Sequence, residues 1–168
     1  MPETLTRVDP IAAEPQVFVG GKMVLEPAAK RYSLRGAAAD LQVFVPLLLP
    51  TRIGDISDGA AGLAVMLGPD EWLLIGETSS DGHGQPVSIT EITERQIGLV
   101  IEGPHAAELL MSGCPLDLAR MAAGRGTRTI YETVEITLLK LSDTRFHVEV
   151  WRSFAPWLWA ALAQAAAD

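Results

Sequence analysis

A chain of 168 residues, 48% hydrophobic and 20% charged, holds enough apolar material for one packed domain or for two small halves sharing a core. Its formal net charge of -8 leaves no basic face for a phosphate backbone, which excludes nucleic acid as a partner. A mean hydropathy of +0.22 calls for a generous core or for apolar surface that meets another protein.

Residues 1–16 are polar and proline-containing and are expected to form an extended arm. They lack the basic stretch followed by an apolar run that marks a signal peptide. Val17-Phe18-Val19 and Met23-Val24-Leu25 read as a hairpin turned at Gly20-Gly21, since a tight turn demands φ > 0. The GxxxxGK[ST] spacing of a phosphate loop is absent there. Tyr32-Ser33-Leu34-Arg35 reads as a strand ending at Gly36, followed by a helix over Ala37–Val45 that Pro46 closes. Pro50–Gly62, rich in Gly, Asp and Ser, reads as a surface loop. Gly62–Leu67 and Trp72–Ile75 form an apolar hairpin through Gly68-Pro69-Asp70-Glu71, whose acids are expected to be solvated. Thr78–Pro86 has the composition of a linker.

The strongest local pattern lies at Ile97–Leu118. Ile97, Leu99 and Ile101 alternate as one face of a strand, and Gly103-Pro104 breaks it at a helix start. Ala106, Leu109 and Leu110 recur at helical spacing, Gly113 suits a left-handed helix end, and Pro115 prevents continuation. Leu99-Val100-Ile101-Glu102-Gly103 resembles Tyr32-Ser33-Leu34-Arg35-Gly36, and each copy leads through a helix to an apolar hairpin, the second being Val134–Leu141 with Phe146–Trp151. The order implies an internal duplication. The expected organisation is an arm (1–16) and a single domain (17–168) of two repeats, about 17–77 and 87–168.

Between helix and second hairpin, Gly124-Arg125-Gly126-Thr127-Arg128 reads either as an anion site of amides and guanidinium or as a turn with solvated charges. Ser153 is placed to cap a last helix running to about Ala167. Leu158, Ala161, Leu162 and Ala165 make one apolar stripe on it. Trp157 and Trp159 fall off that stripe, and Trp151 opposes Phe146, Val148 and Val150 along its strand. These tryptophans cannot serve one core. Because Trp and Arg anchor protein interfaces, Arg128, Trp151, Arg152, Trp157 and Trp159 are the candidate docking residues; packing of the spare face on the N-terminal arm is the alternative.

No catalytic, cofactor-binding or metal-binding residue is assigned. His83, His105 and His147 lack ligand spacing, and His147 with Glu149 reads as a surface pair. Cys114, the single cysteine, follows a helix end rather than preceding one and reads as a small buried hydrophobe, not a nucleophile. It also excludes an internal disulfide and gives no sign of an oxidising compartment. No apolar run reaches the ~20 residues of a membrane helix, so the expected location is the cytoplasm.

Gly68-Pro69-Asp70-Glu71-Trp72-Leu73-Leu74, Gly113-Cys114-Pro115-Leu116-Asp117-Leu118, Thr127-Arg128-Thr129 and Glu149-Val150-Trp151-Arg152-Ser153-Phe154-Ala155, in this order, resemble the gamma subunit of bacterial heterotetrameric sarcosine oxidase. The resemblance runs from about Tyr32 to the end of the chain. It implies an α+β fold of duplicated, strand-swapped subdomains, similar to the folate-binding domain of aminomethyltransferases. It further implies a non-catalytic subunit of a complex that oxidises sarcosine to glycine, passes the methyl carbon to tetrahydrofolate and yields hydrogen peroxide. The implied partners are alpha, beta and delta subunits, with FAD, FMN, NAD and tetrahydrofolate in those partners and no cofactor in this chain. Departures are Glu91-Ile92-Thr93-Glu94, where relatives tend to read Asp-Val-Ser-His, and a short linker after Ile75. The paired aspartates that hold folate are also missing, the comparable strand reading Thr133-Val134-Glu135. A stand-alone folate-binding one-carbon transferase is the alternative function, and a homo-oligomer formed by the isolated chain is a third reading.

Overall fold

The computed structural model describes residues 10, 11 and 14–167. Most of the expected arm lies outside the described residues; Ile11 is buried against the second half's core.

The N-terminal hairpin pairs β1 (Gln16–Phe18) with β2 (Gly21–Leu25). Of its two glycines only Gly20 takes positive φ, at 78°. Next come β3 (Arg31–Arg35), a single helical turn α1 (Ala38–Leu41), β4 (Ile56–Gly59) and the hairpin of β5 (Gly62–Gly68) with β6 (Glu71–Gly76). The second half runs β7 (Ser88–Glu91), β8 (Gln96–Glu102), α2 (Ala106–Met111), β9 (Arg125–Tyr131), β10 (Val134–Ser142), β11 (Arg145–Trp151) and α3 (Ala155–Ala167).

Two antiparallel sheets result, ordered β4-β5-β6-β3-β7 and β9-β10-β11-β8-β2-β1. The first five positions of the two orders correspond, β1 adding a sixth strand to the second, and the fifth strand of each, β7 beside β3 and β2 beside β8, comes from the other half. β2 pairs with β8, placing Met23 opposite Ile101, while β7 pairs with β3, placing Glu91 opposite Tyr32. This is a duplicated, strand-swapped α+β fold.

The alternation of each central strand sorts its side chains between two layers. Leu99, Ile101, Phe146, Val148 and Val150 meet Leu109, Leu110, Leu158 and Leu162 beneath α2 and α3. Leu34, Trp72 and Leu74 meet Leu41, Val45, Leu47 and Leu49 on the outer face of the first sheet. The opposite faces of both sheets meet each other through Leu63, Val65, Leu73, Ile75, Ile92 and Leu139.

Four local expectations are corrected. The first helix stops at Leu41 instead of Val45, because Pro46 disfavours helical geometry before it. The apolar stretch that follows is braced instead by Gln42, whose Nε2 donates to Val45 O (3.0 Å) and Leu47 O (2.9 Å) while its Oε1 accepts from Leu49 N (2.9 Å). The Pro50–Gly62 loop contains β4, which pairs Ile56 with Val65 at the sheet edge. Gly113 is not among the residues of positive φ. Its need is for space, as a Cβ there would lie 2.7 Å from the Tyr131 ring. The last helix begins one residue later than a Ser153 cap would set it, with Leu158 N–H bonded to Phe154 O (2.9 Å).

Candidate functional site

The chemistry-bearing side chains converge between the two sheets. On β11 the residues facing away from the helices are His147, Glu149 and Trp151, and the first sheet covers the first two. His147 and Glu149 are therefore buried, not the surface pair read from the sequence. Alternation tells which side of a strand is polar, but not whether another sheet lies over that side.

Arg31, from β3, crosses the layer and donates through Nε to Glu149 Oε2 at 2.7 Å, while its Nη1 donates to Ala29 O at 2.8 Å. His147 Nε2 donates to Glu149 Oε1 at 2.7 Å, and its Nδ1 lies 3.7 Å from Glu26 Oε2, just beyond β2. Three segments from different parts of the chain are thus joined by two cations and two anions. Gly98 makes room for them: a Cβ there would fall 2.5 Å from Arg31 Nη2 and 2.7 Å from Glu149 Oε1.

Burial opposes charge on His147, but the hydrogen bond to Glu149 and the pairing with Glu26 outweigh it, and its pKa is pushed up to about 9. Burial likewise opposes charge on Glu149, yet His147 and Arg31 hold its carboxyl below the usual range. The pairing with His147 does the same for Glu26. The cluster is ionised and neutral overall at physiological pH.

A second ionic contact closes one end of the layer. Glu71, expected to be a solvated turn residue, is buried and accepts bonds from both terminal nitrogens of Arg128, while Arg35 approaches it at 3.1 Å. The Arg128 hydrogen bonds hold its pKa low. Arg125 is likewise bound by Asp55 and by Ile53 O. The glycine-arginine segment, read as either an anion site or a turn with solvated charges, therefore has carboxylates of this chain on its two guanidinium groups.

Beside Glu71–Arg128 lies a cleft of about 230 Å³, walled by both sheets and lined by Ser33, Glu71, Arg95, Gln96, Glu135 and Trp151 among others. Trp151 is 43% exposed at this cleft, with the Arg95 guanidinium 5.1 Å from its ring centroid. Trp157 (39%) and Phe154 (47%) are exposed at the start of α3. Trp159 is half-buried against the helix-side core, and Arg152 is half-buried after β11. Of the five candidate docking residues, Arg128 and Trp151 line this same cleft, Arg128 with its guanidinium on Glu71, while Trp157 is exposed on α3. Sequence reasoning missed Arg31, Glu26, Arg95 and Glu135; the signal available was Gly98, a lone glycine inside an apolar strand, which marks close approach of another group.

Cys114 is buried in the helix-side core, and His83 and His105 are exposed, the latter bonded to Glu108 at 2.6 Å. Among the described residues no cluster of His, Cys, Asp or Glu has the makings of a metal site, and no helix is long and apolar enough to cross a membrane.

Matching strand orders with exchanged edge strands define an α+β fold of the aminomethyltransferase type. Aminomethyltransferase T of the glycine cleavage system from Bartonella henselae shares it, with a TM-score of 0.61 at 14% identity over 83% of this chain and 44% of that one. A chain of heterotetrameric sarcosine oxidase from Corynebacterium sp. U-96, in complex with pyrrole 2-carboxylate, gives a TM-score of 0.80 at 22% identity over 92% of this chain and 88% of that one. No family model matches the chain. Its sequence is 30% identical over 111 residues to sarcosine oxidase subunit gamma of Arthrobacter sp., covering 60% of this chain and 55% of the relative. It is 28% identical over 131 residues to the gamma subunit of Corynebacterium sp. (strain U-96), covering 69% and 64%. The chain thus spans between about half and two thirds of these two relatives' length. Over these stretches its sequence is similar to the sarcosine oxidase gamma subunits.

Proposed function

We propose that the chain is the gamma subunit of a cytoplasmic heterotetrameric sarcosine oxidase and acts in it as a non-catalytic, structural component. The complex would oxidatively demethylate sarcosine to glycine, with tetrahydrofolate accepting the one-carbon unit and hydrogen peroxide as product. FAD, FMN and NAD would reside in the partners. The carrying observation is the similarity to gamma subunits over 111 and 131 residues. The interior supports the non-catalytic part: Arg31, His147 and Glu149 are buried and satisfy one another, and Cys114 is buried among apolar neighbours.

The proposed docking residues are Trp151, Arg152 and Trp157, with Phe154 beside them. Exposed aromatics on a rigid sheet end and helix start are the kind of group that carries interface energy. Trp159 and Arg128, occupied within the chain, would support them from behind. Co-expression with alpha, beta and delta chains tests the reading. The gamma chain is expected to co-purify, and a complex equally stable and active without it would overturn the proposal.

A further inference from the structure

The layer between the sheets satisfies its buried charges but leaves one buried polar atom unmatched. On β8, Ile97, Leu99 and Ile101 face the helices, so alternation turns Gln96 toward the opposite sheet, where it lines the cleft beside Glu71. Gln96 is 9% exposed, and among the described residues nothing donates a hydrogen bond to its buried Oε1. An unmatched buried acceptor destabilises the free chain, and a donor brought by another molecule removes that cost.

The charges around the cleft limit what that donor can be. Glu71 is held by Arg128 and Arg35, Arg128 also attracts Glu135, and Glu149 is held by Arg31 and His147. Arg95 stands over the Trp151 ring. A cationic guest would meet the Arg95 and Arg128 guanidinium groups, and an anionic one the Glu71, Glu135 and Glu149 carboxylates, whereas an uncharged donor meets no like charge. Size limits the guest further. The cleft's volume of about 230 Å³ falls below the roughly 300 Å³ at which small-molecule pockets begin, so it suits a residue or so of a polypeptide better than a free cofactor. Trp151, 43% exposed in the cleft wall, offers such a residue an aromatic face.

We propose that this cleft is a socket for an uncharged main-chain segment of a partner subunit, which donates a backbone N–H to Gln96 Oε1 and lays its side chain on Trp151. The proposal rests on the subunit reading and adds a specific contact to it. Competition tests it: the wild-type chain and one variant, differently tagged, are co-expressed with alpha, beta and delta chains, and their shares in the purified complex are compared. Gln96→Met keeps the side chain's length and removes the acceptor. It is expected to leave the isolated chain's melting temperature unchanged or higher, yet to enter the complex about tenfold less than wild type. Gln96→Glu keeps an acceptor but adds a charge, and is expected to enter no better than wild type. Equal incorporation of Gln96→Met would overturn the socket while the subunit reading stands. So would a sharp fall in its melting temperature, which would mean that the chain itself answers the oxygen. Preferred incorporation of Gln96→Glu would mark a cationic guest and overturn the proposal as well. Absence of the wild-type chain from the complex would overturn both readings.

Discussion

The two halves share a strand order and differ in what covers it. The second half lays α2 and the 13-residue α3 over its sheet, and Phe146, Val148 and Val150 pack beneath them. The first half has one helical turn and a proline-bounded apolar loop, closed by the hydrogen bonds of Gln42 and by Trp72 Nε1 donating to Pro50 O at 2.8 Å. A sheet with one apolar face needs that face excluded from water, and either regular helix or braced loop will serve. The helical cover leaves Trp157 outward, whereas the loop leaves Val43, Leu48 and Ile53 outward. The scaffold is held constant while the surfaces diverge.

The largest expected effect comes from breaking what both halves share. Glu149→Ala strands Arg31 and His147 in the layer between the sheets and is expected to cost about 3–5 kcal/mol in chemical denaturation, the range for removing one partner of a buried pair. A loss under about 1 kcal/mol would mean that water already reaches the cluster.

The same layer makes stability depend on pH with a definite sign. His147 has a folded pKa of about 9, above its usual value of 6.5. Its contribution is therefore fully present below pH 6.5 and is lost as pH rises toward and through 9, in all about 3 kcal/mol. Glu26 and Glu149 are held low, so their contribution is present above the usual carboxylate range and is lost as pH falls below it. Thermal melts from pH 6 to 10 should show a decline that His147→Gln flattens; parallel curves would contradict the assignment.

Paired truncations sharpen the contrast between covers. Leu41 and Leu110 are both fully buried. Leu110→Ala is expected to cost about 3–4 kcal/mol and Leu41→Ala about 2–3 kcal/mol, because a loop cover relaxes into the cavity more readily than packed helices do. Equal losses would show the loop to be as rigid as the helices. The smallest effect on stability is expected from Trp157→Ala, below about 0.5 kcal/mol by melting, with subunit association weakened far more. A sharp fall in melting temperature without loss of association would place Trp157 in the core's service.

Much of this was legible in the residues. The alternation of Ile97, Leu99 and Ile101, the Gly-Pro break and both apolar hairpins fall where the pattern sets them, because local turn chemistry and burial agree there. The exchange of β2 and β7 was not readable from periodicity, since pairing partners distant in sequence leave no local trace; the family resemblance supplied it. The inter-sheet cluster was hidden for a related reason. His147 and Glu149 look like a solvated strand face until a second sheet is laid over them, and Arg31 sits 118 residues from the carboxylate it binds. Glu71 misled in the same way, as a turn acid whose partner, Arg128, comes from the far half of the chain.

The traded edge strands carry a consequence for inheritance. A tandem copy whose members fold separately can be whittled back to one when the other falls idle. Here, deleting either copy would strip the survivor of the strand paired with its β3 or β8 and expose an unpaired row of amides and carbonyls. Loops and helices can be reshaped around the two sheets, but the chain cannot be halved without opening both.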